Sequence, residues 1–135
     1  MNRVVIGVGS NIQPEENVTR ARRAVAQAHR VLAESRFVET EPVGYKDQPS
    51  FVNGAVLIET PLGSEALKAW LRQVEDDLGR DREGLKDGPR TIDLDILIWN
   101  GKIVHREVRE RAFVRAAVLE VWPDLPICPE PRKAG

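Results

Sequence analysis

Apolar positions in this chain alternate in some stretches and recur every three or four residues in others, and the changes of period mark its elements. From Arg3 to Val8 the residues are largely β-branched, with Val4, Ile6 and Val8 on one face and Val5, Gly7 and Gly9 on the other, as expected of a strand. Two glycines on one face predict a close approach to the backbone there. Pro14, Glu15 and Glu16 open a helix, since proline suits a first turn and carboxylates suit its positive end. Its buried stripe is Val18, Ala21, Val25, Ala28 and Leu32. A strand from Ser35 to Thr40 stops at Glu41-Pro42, and residues 41 to 50, with two prolines, Gly44, Asp47 and Ser50, read as a loop. Loops of that length often carry function.

Phe51 to Thr60 is the next strand, with Val52, Val56 and Ile58 facing one way and Phe51, Asn53, Ala55 and Leu57 the other. Ser64 is placed to cap a second helix with the stripe Leu67, Leu71, Val74 and Leu78, ended by Gly79. Residues 79 to 90 hold three glycines, one proline and seven charged side chains and read as a solvated loop. Thr91 to Trp99 is the fourth strand. After an Asn100-Gly101 turn, a helix from about Glu107 to Val121 precedes a proline-rich tail, from about residue 123, that should lack regular structure. The order β-α-β-β-α-β plus a helix predicts an α+β, ferredoxin-like sandwich: an antiparallel four-stranded sheet with two helices on one face and the other face free for ligands.

Composition narrows the class. The 135 residues, 41% hydrophobic and 30% charged, suffice for one domain spanning 1–135 with a core that needs no disulfide or metal staple. Cys128 is the only cysteine, so no internal disulfide forms. That unpaired thiol and the lack of a signal sequence lead to the expectation of a cytoplasmic protein. No apolar run approaches the roughly 18 residues of a membrane span, and 20 Lys+Arg against 21 Asp+Glu argues against a polyanion binder. The charge is nevertheless uneven. Arg72, Arg80, Arg82, Lys86 and Arg90 precede the last strand, and Arg106, Arg109, Arg111 and Arg115 follow it.

Between those clusters stands Gly88-Pro89-Arg90-Thr91-Ile92-Asp93-Leu94-Asp95-Ile96-Leu97-Ile98. Aliphatic residues at 92, 94, 96 and 98 define a buried face, so Asp93 and Asp95 project together from the opposite one, with Cα atoms about 6.6 Å apart. Asp is a poor strand former, and adjacent carboxylates repel unless a cation lies between them. Mg²⁺, held by carboxylates and substrate phosphates, is the natural candidate. Arginines folded toward the pair would surround a polyphosphate. Gly7-Val8-Gly9 lacks the third glycine of a dinucleotide fingerprint. Phe51 and Asn53 share the face of the two aspartates, where a ring could stack a flat heterocycle and a carboxamide could read its edge. His29 and His105 lack metal-ligand spacing.

These residues resemble the 6-hydroxymethyl-7,8-dihydropterin pyrophosphokinases of the folate pathway. The matching segments are Gly9-Ser10-Asn11, Thr40-Glu41-Pro42-Val43-Gly44, Asp47-Gln48-Pro49-Ser50-Phe51-Val52-Asn53, Gly79-Arg80-Asp81-Arg82, Lys86 to Leu97, and His105 with Arg111-Ala112-Phe113. The resemblance implies transfer of pyrophosphate from ATP to the pterin hydroxymethyl oxygen, releasing AMP. It implies that Asp93 and Asp95 hold two Mg²⁺ ions, and that Arg82 and Arg90 stabilise the transferring group. Glu75, Arg82, Arg90, His105 and Arg111 would contact ATP, and Thr40, Pro42, Val43, Phe51, Asn53 and Phe113 would form the pterin pocket. A monomer binding neither nucleic acid nor membrane is expected.

Three departures stand out. Only nine residues separate Asp95 from His105, where familiar members carry an insert that adds ATP contacts. The chain ends soon after Pro126, where they continue. Asp87 replaces a residue that is often aromatic. The alternative to an active enzyme is a shortened paralogue that binds pterin or nucleotide with little or no turnover. A ferredoxin-like nucleic-acid binder is disfavoured by the two aspartates on its open face.

Overall fold

A computed structural model describes residues 1–44, 46–80 and 89–126. Arg82, Lys86, Asp87, Gly88 and Cys128 lie outside the described residues. The strand on which the rest assembles is β1 (Asn2–Ser10). It pairs antiparallel with β4 (Phe51–Thr60) from Asn2↔Thr60 to Ser10↔Val52, and with β5 (Asp93–Trp99) from Val4↔Trp99 to Gly9↔Asp93. Outside β4 lie β2 (Arg30–Glu34) and the short β3 (Val38–Thr40), while β6 (Lys102–Ile103) continues the sheet beyond β5. The order β2-β4-β1-β5-β6, antiparallel throughout, with two helices crossing one face, is the expected ferredoxin-like arrangement, but the sheet has six strands instead of four because the short β3 and β6 add to β4 and β5.

That face buries α1 (Pro14–Ala28) through Val18, Ala21 and Val25, and α2 (Ser64–Asp77) through Leu67, Leu71 and Val74, against Val4, Ile6, Val8, Val56, Ile58, Ile92, Leu94 and Ile96. Alternation along each strand sends Val5, Ala55, Leu57 and Leu97 to the opposite face. There α3 (Glu107–Glu110) and α4 (Ala112–Val121) cover half of the sheet with Val108, Val118 and Val121. Among the described residues, the second face keeps a cavity at the end carrying Asp93 and Asn53, which corrects the expectation that all of it is free. Among the described residues, no helix is long and apolar enough to cross a membrane.

Several boundaries also move. Leu32 lies in β2 and packs on the second face, while Ala28 is exposed, so neither belongs to the buried stripe of α1. Of the expected strand Ser35–Thr40 only β3 forms, and β2 precedes it at Arg30–Glu34, where the helical stripe is expected to continue. Between them the buried Ser35 exchanges bonds with Ala55, its N–H donating to the Ala55 carbonyl (2.9 Å) and its Oγ accepting the Ala55 N–H (2.8 Å). Ser64 is the first helical residue and makes no side-chain cap; Gly63 occupies that position. The strand expected from Thr91 to Trp99 is β5, which begins at Asp93 with Thr91 outside it. The expected helix 107–121 breaks at Arg111, which is extended (φ −117°, ψ 115°). Ile98 changes face because the β1–β5 register slips between Val5↔Ile98 and Ile6↔Ile96. Leu97 is the extra residue of this bulge, so Leu97 and Ile98 both pack on the second face.

Glycines fit side chains into the sheet. A Cβ on Gly7 would stand 3.0 Å from the Leu97 side chain, one on Gly9 2.5 Å from Asn53 Oδ1, and one on Gly54 2.6 Å from the Phe37 ring. Asn100 (φ 48°) and Gly101 (φ 89°) form the expected turn between β5 and β6. Gly54→Ala is expected to lower the unfolding free energy by about 1–3 kcal/mol through overpacking. In the Phe37→Ala background most of that penalty should disappear, which a double-mutant cycle by denaturant melts measures. An undiminished penalty there would show that the ring is not its cause.

Candidate active site

The open end of the second face holds a cavity of about 180 Å³. Its floor is the furrow of Gly7, Val8 and Gly9 on β1, flanked by Asn53 and Phe51 from β4 and by Asp93 and Asp95 from β5. The missing side chain at Gly9 is what lets the Asn53 carboxamide lie against β1. Asn53 Nδ2 donates to the Thr40 hydroxyl, which ties the end of β3 to the cavity. Val43 stands exposed at the rim, and Phe113 and Val114 enter from the first turn of α4. Arg90 and Arg111 supply cations to the same wall. The helix break at Arg111 makes this possible, since it redirects the chain between α3 and α4.

On the other side of β5, a groove of about 720 Å³ runs along α2. Leu71, Ile96, Trp99 and Val104 give it an apolar side, and Lys68, Arg72, Glu75 and His105 a charged one. Among the described residues, Asp95 alone lines both the cavity and the groove.

Around that residue acidity is concentrated. Glu75 is 5% exposed and accepts the Leu94 N–H (2.8 Å) and the Arg80 guanidinium (2.6 Å). Arg80 arrives there because α2 ends in a Schellman turn. Gly79 (φ 91°) donates its N–H to the Asp76 carbonyl, and the Arg80 N–H reaches back to the Glu75 carbonyl. The same guanidinium nitrogen is 3.0 Å from Asp93 Oδ1, while the buried Arg80 Nε has no hydrogen-bond partner among the described residues. Among the described residues, no arginine or lysine pairs with Asp95 in this way. Burial, then the neighbouring carboxylates of Asp93, Glu107 and Glu75, push its carboxyl up to about 8. His105 Nδ1 accepts the Glu107 N–H (3.2 Å), so in the neutral ring the proton sits on Nε2, which faces Asp95 Oδ1 at 3.9 Å.

Two crowded carboxylates of this kind could hold a hard divalent cation. Among the described residues no group of three or more acidic, histidine or cysteine side chains forms a closed cage. The remaining ligands would come from water and a bound polyanion, as is usual for Mg²⁺.

Of the residues singled out in the sequence, Thr40, Val43, Phe51, Asn53, Phe113, Arg90, Arg111, Asp93 and Asp95 meet in the cavity. Glu75 and His105 meet in the groove. Pro42 does not line the cavity; it is buried beside it, and its carbonyl accepts Lys46 Nζ at 2.6 Å. The second basic cluster contributes only Arg111. Arg106 is exposed and 3.9 Å from Glu110, and Arg115 donates to the Arg109 carbonyl. Arg80 and Asn11 are among the residues at the site that carry no individual role from the sequence. Arg80 stands in the basic cluster and Asn11, 4% exposed, follows β1; both fall in matched segments, but neither position alone carries the contacts that place it here.

Known proteins provide the last comparison. The family profile described as 7,8-dihydro-6-hydroxymethylpterin-pyrophosphokinase (HPPK) matches residues 5–123. A 2-amino-4-hydroxy-6-hydroxymethyldihydropteridine pyrophosphokinase of Bacillus subtilis is 42% identical, covering 90% of this chain and 79% of that protein. Enzymes of the same name are 39% identical in Methylorubrum extorquens (94% and 87% covered) and 35% identical in Pseudomonas aeruginosa (93% and 83% covered). The chain belongs to the 7,8-dihydro-6-hydroxymethylpterin-pyrophosphokinase family.

Proposed function

We propose that this protein transfers the pyrophosphoryl group of ATP to the hydroxymethyl oxygen of 6-hydroxymethyl-7,8-dihydropterin, a step of folate biosynthesis. The oxygen–β-phosphorus bond forms, the bond to the α-phosphate oxygen breaks, AMP leaves and the hydroxyl proton is lost. The observation that carries this reading is the position of Asp95 as the shared wall of a cavity and a groove. A polyphosphate leaving the groove must pass Asp95 to meet an acceptor in the cavity.

In the cavity, Phe51 and Phe113 offer rings for stacking, and Asn53, held by Thr40, offers a carboxamide to the pterin edge. Val43 closes the rim, with Pro42 behind it. In the groove, the apolar side suits a purine and its charged side the ribose and phosphates, with Glu75 and His105 among the contacts. Mg²⁺, with two ions expected and Asp93 and Asp95 as the protein ligands, supplies charge neutralisation along the triphosphate when bound. Arg90 and Arg111 face the acceptor side of Asp95, where they neutralise charge on the transferring group; Arg82 is assigned the same task from sequence. Catalysis on this reading is positioning plus preorganised electrostatics.

Purified protein is expected to form AMP from ATP only when pterin and Mg²⁺ are both present, and Asp95→Ala should lower the rate on the order of 10³-fold. Thermal stabilisation by both ligands without AMP would instead identify a binding paralogue. A second expectation concerns the protein without metal. The folded-state pKa of Asp95 exceeds its unfolded value, so its contribution is fully present below about pH 4 and is lost as pH rises through about 8. With chelator at alkaline pH, Asp95→Asn should therefore melt above the wild type by roughly 3–5 °C, on the order of 1 kcal/mol after allowance for solvent screening. The gap should close in acid and shrink on adding Mg²⁺. A pH-independent difference would refute this origin.

A further inference from the structure

The buried side chain of Asn11 joins the two loops that flank the cavity, and nothing in the reaction described above uses it. Its backbone N–H donates to the Arg90 carbonyl (3.1 Å) and its Oδ1 accepts the Arg90 N–H (2.8 Å). This two-bond ring prolongs the β1–β5 pairing beyond Gly9↔Asp93. Next to it, Ser10 Oγ donates to the Thr91 carbonyl at 2.6 Å.

The Arg90 N–H can meet only an acceptor, so it fixes which end of the carboxamide is oxygen. The amide nitrogen then faces the other loop, donating to Gln48 Oε1 (2.8 Å) and to the Pro49 carbonyl (3.0 Å). Pro49 lies two residues before Phe51, whose ring lines the cavity, and Arg90 lines the opposite side. One planar group thus spans the pterin side and the phosphate side. Asparagine meets the requirement of one donor and one acceptor at this reach. Aspartate has two acceptors, leucine none, and serine is too short.

We propose that Asn11 is a positioning residue that fixes the 46–49 loop relative to Arg90, so that the acceptor and the transferring group are held at one spacing across the cavity. Its kinetic consequence rests on the pyrophosphokinase reading, whereas the clamp itself does not.

The test uses the full chain and compares wild type with Asn11→Asp, Asn11→Ser and Gln48→Leu. Asn11→Asp keeps the acceptor for the Arg90 N–H but sets oxygen against the Pro49 carbonyl; Asn11→Ser loses both sides. In ligand-free protein, hydrogen exchange at the Arg90 amide should rise about tenfold in Asn11→Ser and change less than about twofold in Asn11→Asp. In turnover, both variants should raise the pterin KM and lower kcat by about tenfold each, with the ATP KM within about twofold, because the α2–β5 groove is untouched. Gln48→Leu, which removes one bond from a loop, should raise the pterin KM by about threefold at an unchanged melting temperature.

A folded Asn11→Asp with wild-type KM and kcat would overturn the proposal, as would equal changes in the KM of both substrates. Unchanged Arg90 exchange in Asn11→Ser would overturn the clamp. If the wild type releases no AMP, the reading of the reaction fails and the exchange measurement alone decides the clamp.

Discussion

Carboxylates crowded at one edge of β5 set the terms for everything around them. Among the described residues, Asp93, Asp95 and the buried Glu75 stand together with the Arg80 guanidinium shared between Glu75 and Asp93. Two bare charges about 4 Å apart repel by about 4 kcal/mol at an effective dielectric near 20, a large fraction of the stability of a small domain. The fold meets this in unequal ways. Glu75 is fully engaged by Arg80 and the Leu94 N–H, Asp93 is partly compensated, and Asp95 is left to hold a proton. A site whose anions are under-neutralised without ligand has the greatest differential affinity for a cation and the polyphosphate it accompanies. Stability is sacrificed at the position where binding is required.

The scaffold that tolerates this is built from both faces of β1. Its even residues, Val4, Ile6 and Val8, anchor the helices, while the opposite face carries Val5 and then two glycines. Val5 sits under the α3–α4 layer, and the glycines form the floor of the cavity. Where side chains stop, the sheet becomes a furrow, filled from one side by Leu97 and from the other by Asn53. The bulge at Leu97 is part of the same solution. It turns Leu97 and Ile98 both toward the α4 layer, so the apolar seal begins directly beyond Asp95.

How far the sequence foretells this depends on whether the controlling signal is local. The aspartate pair was readable because alternation over Ile92, Leu94 and Ile96 leaves only one face for Asp93 and Asp95, and Phe51 with Asn53 follows from the same period. Ile98 was not, because a bulge arises from a pairing register that no single strand contains. Leu32 satisfies the helical spacing from Val25 and Ala28, yet it lies at an irregularity of β2 where Leu32 and Ala33 both pack on the second face, an outcome set by long-range pairing with β4. The break at Arg111 carries no glycine or proline. Clustering along the chain also misled: Arg106 and Arg109 adjoin Arg111 in sequence yet turn to solvent. Arg80, embedded in a loop of charges, owes its place to a single glycine and a helix end.

The short connection after β5 bears on the nucleotide side. Asn100 and Gly101 both adopt positive φ, the geometry that closes a two-residue hairpin without splaying its strands. Asn100 is locked to Arg3 by paired bonds, its N–H to the Arg3 carbonyl and its Oδ1 to the Arg3 N–H, each 2.8 Å. The chain therefore returns to His105 by a rigid and direct route, with Val104 bonded to the Leu97 carbonyl at 3.0 Å. No segment is left over to fold across the groove from this side. Trp99 and the 55% exposed Val104 consequently form its wall themselves. This wall is held in place by the hairpin, so it needs no ordering when a ligand arrives.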